Sequence, residues 1–287
     1  MSSNFLHMPM TITMSSQNFQ HHDHSSYFAS ITKDIEAHLK QSIIVKPPFT
    51  VYEPMYNLAF TTPPTSAPLL CVAACELVGG HRRQAVAAAS SLHLMHVASF
   101  THEHLPLTDR SNPNPMIHHA YNPNIELLIP DAIVPFGCEL LTRLDNPIED
   151  DHADRVLKVI VEITRAFGSQ GIIDGQFHEK VVNRSNGEEE NNNADWIDYT
   201  CRKKEGKLYA CAATCGAILG GANEEEEEKL SKFGLYVGMI QGYSKIGRGK
   251  EEERLKRVEE LTKLAIKELE HFKGRRVEEI SSIILGP

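Results

Sequence analysis

H-L-M-H-V-A-S-F-T-H-E-H-L-P-L-T-D, from His93 to Asp109, is the stretch whose reading decides the fold. It starts as a helix. His96, Ser99 and Glu103 recur at i, i+3 and i+7, with Leu92 and Met95 beside them, so one helical edge carries polar groups. Pro106 then stops the helix, because it lacks an N–H and disfavours helical geometry at the residue before it. The spacing puts His102, Glu103 and His104 on the last turn, with Asp109 just beyond. Such a helix end is a place for chemistry on a cation or a phosphate. Its donors are few: Glu103 and Asp109 are the acids, and a histidine follows the first. Magnesium prefers hard carboxylate oxygens, often completed by substrate phosphates, and His104 is a poor ligand for it.

Outward from this stretch the chain keeps reading as helices. Upstream, Arg82 to Phe100 is alanine-rich. Before it, P-L-L-C-V-A-A-C-E-L-V-G-G (68–80) is apolar all round except Glu76, so it predicts a buried helix with Pro68 in its first turn and Gly79-Gly80 at its end. Phe28, Ile31, Ile35 and Leu39 share one face of a helix running from Tyr27 to about Ser42. Between the two, the prolines from Pro47 to Pro68 predict mostly extended or short-helical chain.

Downstream, Tyr121-Asn-Pro-Asn124 caps a helix that Pro130 and Pro135 should break or kink. Asp154–Ala166, Leu208–Leu219, Phe233–Tyr243 and Glu251–Phe272 follow as further helical segments, and Val277 to Ile284 as a shorter one. Arg184 to Ala194 reads as a polar loop, and Glu224 to Glu228 as a solvated helix start. No segment alternates confidently enough for a strand. The expectation is an all-α protein, a single large helical bundle of ten or more helices spanning residues 27–287. Residues 1–26, rich in serine and without periodicity, read as a flexible N-terminal segment with the character of a transit-peptide remnant.

Composition narrows the function. The net charge of −9 argues against a nucleic-acid surface, and the absence of a long apolar run argues against a transmembrane helix. Six cysteines in 287 residues are no disulfide framework. Cys71/Cys75 and Cys211/Cys215 form two C-x-x-x-C pairs, each stacked on one helical face. A zinc knuckle needs its thiols on a turn, so two readings stay open: small buried hydrophobes, or contacts where helices approach closely.

The order of these segments resembles the trans-prenyl diphosphate synthases, and in particular the geranylgeranyl diphosphate synthase family. The anchors are residues 68–80, H-E-H-L-P-L-T-D (102–109), F-G-S-Q-G-I-I-D-G-Q (167–176) and G-A-I-L-G-G-A (216–222). The resemblance implies the isoprenyl diphosphate synthase type of helical bundle. It also implies a reaction in which two aspartate-rich motifs hold Mg²⁺ and ionise an allylic diphosphate.

The motif positions here are degenerate. The first motif falls on Glu103, His104 and Asp109, and the second on Val237, Gly238 and Gln241. The cation-supplying G-G-K-R-x-R-P falls on T-P-P-T-S-A-P (62–68), and the Arg pair after the first motif gives way to the Ser111–Pro115 stretch. The K-T dipeptide becomes Lys204-Glu205, with an acid where phosphate would sit, while Gln176 is retained. A diphosphate of about three negative charges would lie unpaired there, at a cost of several kcal/mol or more.

One branch of the family fits this pattern: the non-catalytic small subunits of plant heteromeric geranyl(geranyl) diphosphate synthases. That resemblance implies no catalytic residues and no metal on this chain, with Mg²⁺ in a partner catalytic subunit. It implies a geranylgeranyl diphosphate synthase-like large subunit as partner, in a heterodimer or heterotetramer, with Cys71, Cys75, Cys211 and Cys215 as partner-binding residues. A regulatory role favouring the C10 product geranyl diphosphate, and a plastid location, follow from the same likeness. The competing readings are a weakly active prenyltransferase and a homomeric scaffold with no role in prenyl transfer.

Overall fold

A computed structural model describes residues 18–105, 120–143, 152–184, 194–245 and 251–285. Within them lie twelve α-helices and no strand. In chain order these are α1 (Asn18–Ser42), α2 (Phe49–Thr61), α3 (Ala67–Leu77), α4 (Arg82–Glu103), α5 (Pro123–Thr142) and α6 (His152–Phe167). They continue as α7 (Ile172–Arg184), α8 (Ala194–Cys201), α9 (Lys207–Gly220), α10 (Glu224–Lys245), α11 (Glu251–Leu269) and α12 (Val277–Ser282). A π turn, Arg202–Gly206, joins α8 to α9. Asp109, the Ser111–Pro115 stretch and most of the polar run 184–194 lie outside the described residues.

The core is built on α3, α4, α9 and α10, with the remaining helices packed around them. Every residue from Leu70 to Cys75 is buried, as an apolar surface without a polar side requires. Pro68 sits in the first turn of α3, and Gly79 follows its end at a φ of +100°, where a side chain would be strained. The alanine-rich α4 buries Ala85, Ala88, Ala89, Leu92 and Met95, small enough to let neighbours close in on several sides. On its outer flank, Arg82 binds Glu76 at 2.9 Å and Asp34 at 3.0 Å, fastening α1 across the α3–α4 junction.

The tightest approach is between α3 and α9. A Cβ placed on Gly216 would lie 2.0 Å from the Cys71 carbonyl oxygen, and one on Gly220 would lie 2.7 Å from that of Cys75. All four cysteines of the two C-x-x-x-C pairs are buried in this part of the core, with the Cys211 and Cys215 sulfurs 3.8 Å apart. Burial pushes the Cys75 thiol up to about 12, so it stays protonated and behaves as a small apolar group. Both readings open for these cysteines describe their surroundings: they are small buried groups, and they lie where α3 and α9 approach closely.

Three expectations need correction. Pro130 and Pro135 do not break α5, which runs unbroken through both. Ile129, Ile133, Gly137 and Leu140 pin it onto α4, and that burial outweighs the hydrogen bonds the prolines omit. The acidic run is not uniformly solvated. Glu226 is buried, exchanges cap hydrogen bonds with Asn223 and pairs with Arg275 at 2.6 Å. The spacing of Leu255, Val258, Leu261, Leu264, Ala265, Leu269 and Phe272 predicts one apolar face for the Glu251–Phe272 segment, but the buried stripe on α11 is narrower: Leu261, Ala265 and Leu269 are covered while Leu255 and Leu264 face outward. The remaining segments agree, although α1 opens upstream of Tyr27 and the proline-rich stretch contains the complete helix α2.

The α3–α9 seam makes a direct prediction. Gly216→Ala should cost about 3 kcal/mol, because the new methyl meets a backbone carbonyl that cannot rotate away. Urea unfolding followed by far-UV circular dichroism measures it, and an unshifted midpoint would mean that the seam is looser than described.

Candidate functional site

The C-terminal end of α4 opens into a cavity of about 480 Å³. Residues of α4, α7, α8, the π turn, α9 and α10 line it, together with Pro63 and Pro64. This is where the reading of His93–Asp109 placed a site, and the helix does end there, with His104 as its cap. The three residues of H-E-H then part company. His102 turns to α5, with its Nε2 3.1 Å from the Leu127 carbonyl oxygen. His104 folds back on its own helix, its Nδ1 2.8 Å from the Phe100 carbonyl oxygen and its ring 4.1 Å from the Phe100 ring. Of the three, Glu103 presents its carboxylate to an interior cation.

That cation is Lys204. The π turn adds a residue to the α8–α9 helical run and directs successive side chains to different partners. The Lys204 Nζ donates to Glu103 Oε1 and, at 2.8 Å, to Glu179 Oε2. Two carboxylates from different helices thus converge on one ammonium. Gln176 supports the arrangement from α7, its Nε2 donating to Ser99 Oγ at 3.0 Å and to Glu103 Oε2 at 3.4 Å. The neighbouring Glu205 faces Lys245 at 2.7 Å, and Lys203 faces Asp174 at 2.6 Å.

The electrostatics follow from these pairs. Burial works against the charged form of both Lys204 and Glu103. The two carboxylates outweigh it and hold the Lys204 ammonium above its ordinary value, and Lys204 in turn holds the Glu103 carboxyl below its own. Burial lowers His93 and His96, which bond the carbonyls of Ala59 and Pro63 instead of a carboxylate. Each described carboxylate in the cavity wall thus has a lysine partner, Lys204 being shared by two, and the lysines present are already engaged.

The second set of expected positions does not reach this site. Val237 is fully buried on α10, and Gln241 is not in the cavity lining. Gly238 is closed to any side chain: a Cβ there would lie 2.3 Å from the Glu205 carbonyl oxygen and 2.9 Å from the Gly206 Cα. Helix α10 and the π turn touch backbone to backbone at Gly238, and α10 reaches the cavity through Gly242 and Lys245 instead. The T-P-P-T-S-A-P segment is held by the Tyr209 hydroxyl, which lies 2.8 Å from Ser66 Oγ and accepts from Thr65 Oγ1 at 3.2 Å. It supplies no cation. Cys71, Cys75, Cys211 and Cys215 lie in the core and do not line the cavity.

A Mg²⁺ ion does not fit the described residues. Glu103 and Glu179 already share an ammonium, and Val237 and Gly238 offer no side-chain oxygen. Among the described residues no group of three His, Cys, Asp or Glu is arranged to hold a metal. Sequence reasoning missed Glu179 as a member of the site. Its one signal is position: it follows Gln176 by three residues, on the same face of α7.

Comparison with known proteins sets this geometry in context. The family pattern described as polyprenyl synthetase matches residues 59–241. The heterodimeric geranylgeranyl pyrophosphate synthase small subunit 1, chloroplastic, of Cannabis sativa is 56% identical, over 97% of this chain and 89% of its own. The crystal structure of the geranyl diphosphate synthase small subunit from Antirrhinum majus superposes with a TM-score of 0.82 at 50% identity, covering 91% of this chain and 98% of that one. A chain of the mint heterotetrameric geranyl pyrophosphate synthase gives 0.79 at 45% identity, with 91% and 99% covered.

Two predictions follow from the site. Gly238→Asp, which places an acid at one of the expected second-motif positions, should destabilise by about 3 kcal/mol or more, because its Cβ collides with fixed backbone. A wild-type urea midpoint, or calorimetric Mg²⁺ binding by the variant, would count against the geometry. The second concerns acid. A carboxyl held below its ordinary 4.5 stabilises the fold above that value and loses this contribution as pH falls through the lower folded value. Glu103→Gln should therefore flatten the loss of stability between roughly pH 7 and pH 3. Equal slopes for the two proteins would show that Glu103 carries no such linkage.

Proposed function

The chain belongs to the polyprenyl synthetase family, and from that premise we propose that it is a regulatory subunit without prenyl-transfer activity of its own. The observation that carries this reading is the Lys204 ammonium between Glu103 and Glu179. Where a synthase must gather metal ions and a diphosphate, this chain holds an internal ion cluster, and Gly238, an expected second-motif position, has no room for a side chain. An added diphosphate would face carboxylates with no free cation among the described lining residues, a costly burial of charge.

The partner is a geranylgeranyl diphosphate synthase-like large subunit, which supplies the Mg²⁺ site and the chemistry. The names of the Cannabis, Antirrhinum and mint proteins support this, because each describes a small subunit or a heteromeric synthase. Exposed apolar side chains on the two touching helices α5 and α6, Leu127, Leu128, Val134 and Leu157, support a surface that another chain covers. Docking directs the partner towards geranyl diphosphate by altering its product cavity or the motion around it. Cys71, Cys75, Cys211 and Cys215 serve association from within, by fixing the α3–α9 spacing. The working domain is residues 27–287, preceded by a leader-like segment, and the location is the plastid, as the chloroplastic designation of the Cannabis relative supports.

Co-expression with a plant geranylgeranyl diphosphate synthase tests the proposal. We expect a heteromer on size-exclusion chromatography, a product mixture shifted towards C10, and no C10 or C20 product from the isolated chain with Mg²⁺. The double variant Cys71→Ser with Cys75→Ser should weaken pairing while keeping its helical circular dichroism. Clear turnover by the chain alone would establish the weakly active enzyme instead. A chain that stays homomeric in the mixture would establish the scaffold.

A further inference from the structure

The poor fit of Mg²⁺ to this cavity has a specific cause, and we infer that Lys204 is the resident cation of the site. Its tethered ammonium bridges Glu103 and Glu179 and offsets one of their two negative charges in place of a dissolved metal ion, and so makes the junction of α4, α7 and the π turn independent of metal. This inference concerns the isolated chain and stands whether or not the partner reading holds.

Three observations carry it. First, the carboxylates of Glu103 and Glu179 come from separate helices, yet both bond the same Nζ. Without a positive charge between them, two carboxylates sharing a partly buried site repel each other and one must take up a proton. Second, the lysine is placed by the fold. A Cβ on Gly175 would lie 2.7 Å from Lys204 Cγ and 3.2 Å from the Lys204 backbone nitrogen, so α7 closes directly over its stem. The π turn then aims the ammonium between the acids. Third, the neighbouring cations are committed elsewhere. Lys203 pairs with Asp174 and Lys245 with Glu205, so neither is free to replace Lys204. The cluster ties three elements that approach one another from distant parts of the sequence, a task a shared metal ion performs in other proteins.

Manganese serves as the probe, with two kinds of measurement. In the wild-type chain, electron paramagnetic resonance of added Mn²⁺ should show the spectrum of the free aquo ion, and Mn²⁺ should leave the melting temperature unchanged. Lys204→Ala should melt several degrees lower, and millimolar Mn²⁺ should restore part of that loss in a concentration-dependent way, as a ligand of the native state does. Lys204→Met keeps the aliphatic stem and should behave alike, which separates lost charge from lost packing. Adding Glu103→Gln and Glu179→Gln to Lys204→Ala should abolish the recovery. Mn²⁺ binding by the wild-type chain that Glu103→Gln weakens would overturn the inference. So would a Lys204→Ala variant that melts like the wild type or gains nothing from Mn²⁺. Should both Lys204 variants fail to fold, the wild-type spectrum decides: a free ion sustains the inference and a bound ion refutes it.

Discussion

The contact on which this structure most depends is that of α3 with α9, where the Cys71 carbonyl rests against Gly216. Close approach of two helical backbones demands small residues along both, and both supply them: Cys, Ala and Gly recur through P-L-L-C-V-A-A-C and C-A-A-T-C-G-A. This contact fixes the position of α9, and the π turn leads directly into α9. The placement of Lys204 and Glu205 therefore follows from packing deep in the core. A change of spacing at the cysteines would be felt at the ion cluster, although no cysteine of the two pairs lines the cavity.

A second level of organisation is electrostatic. The described lining lysines and acids are arranged in matched sets: Lys204 with Glu103 and Glu179, and Lys245 with Glu205, backed by Lys203 with Asp174. A cavity whose charges are already paired, here Glu103, Glu179 and Glu205 against Lys204 and Lys245, is stable without a ligand but binds charged ligands weakly, because each bound ion must first break an existing pair. A site that performs metal chemistry has the reverse character, with like charges held ready for ions that arrive with substrate. The same helical frame serves either purpose, and which one is served depends on a few side chains at the end of α4.

Much of the fold was legible in the sequence because it rests on local pattern. The run 68–80, apolar except for Glu76, could only be a buried helix, and Asn122 caps α5 by accepting hydrogen bonds from the Asn124 and Ile125 amides. Pro130 and Pro135 misled because their local cost is overridden by burial against α4, a tertiary effect. Glu226 misled because its partner Arg275 lies far along the chain. The site was legible in position and misjudged in content. Glu103 is where the helical edge predicted it. Its bond to Lys204, however, spans 101 residues and no periodicity reports it. At Lys204-Glu205 the sequence draws attention to the acid, whereas the fold gives the decisive role to the lysine.

Gly238 has a consequence for the variation such a chain can accept. The space a side chain would need there is occupied by the Glu205 carbonyl, so any residue other than glycine must first displace a neighbouring backbone segment. Admitting one would need changes in α10 and in the π turn together, and each alone passes through a less stable protein. The contact therefore couples two stretches of chain that are distant in sequence: neither can drift without the other, and the floor of the cavity is held constant while its rim is free to vary.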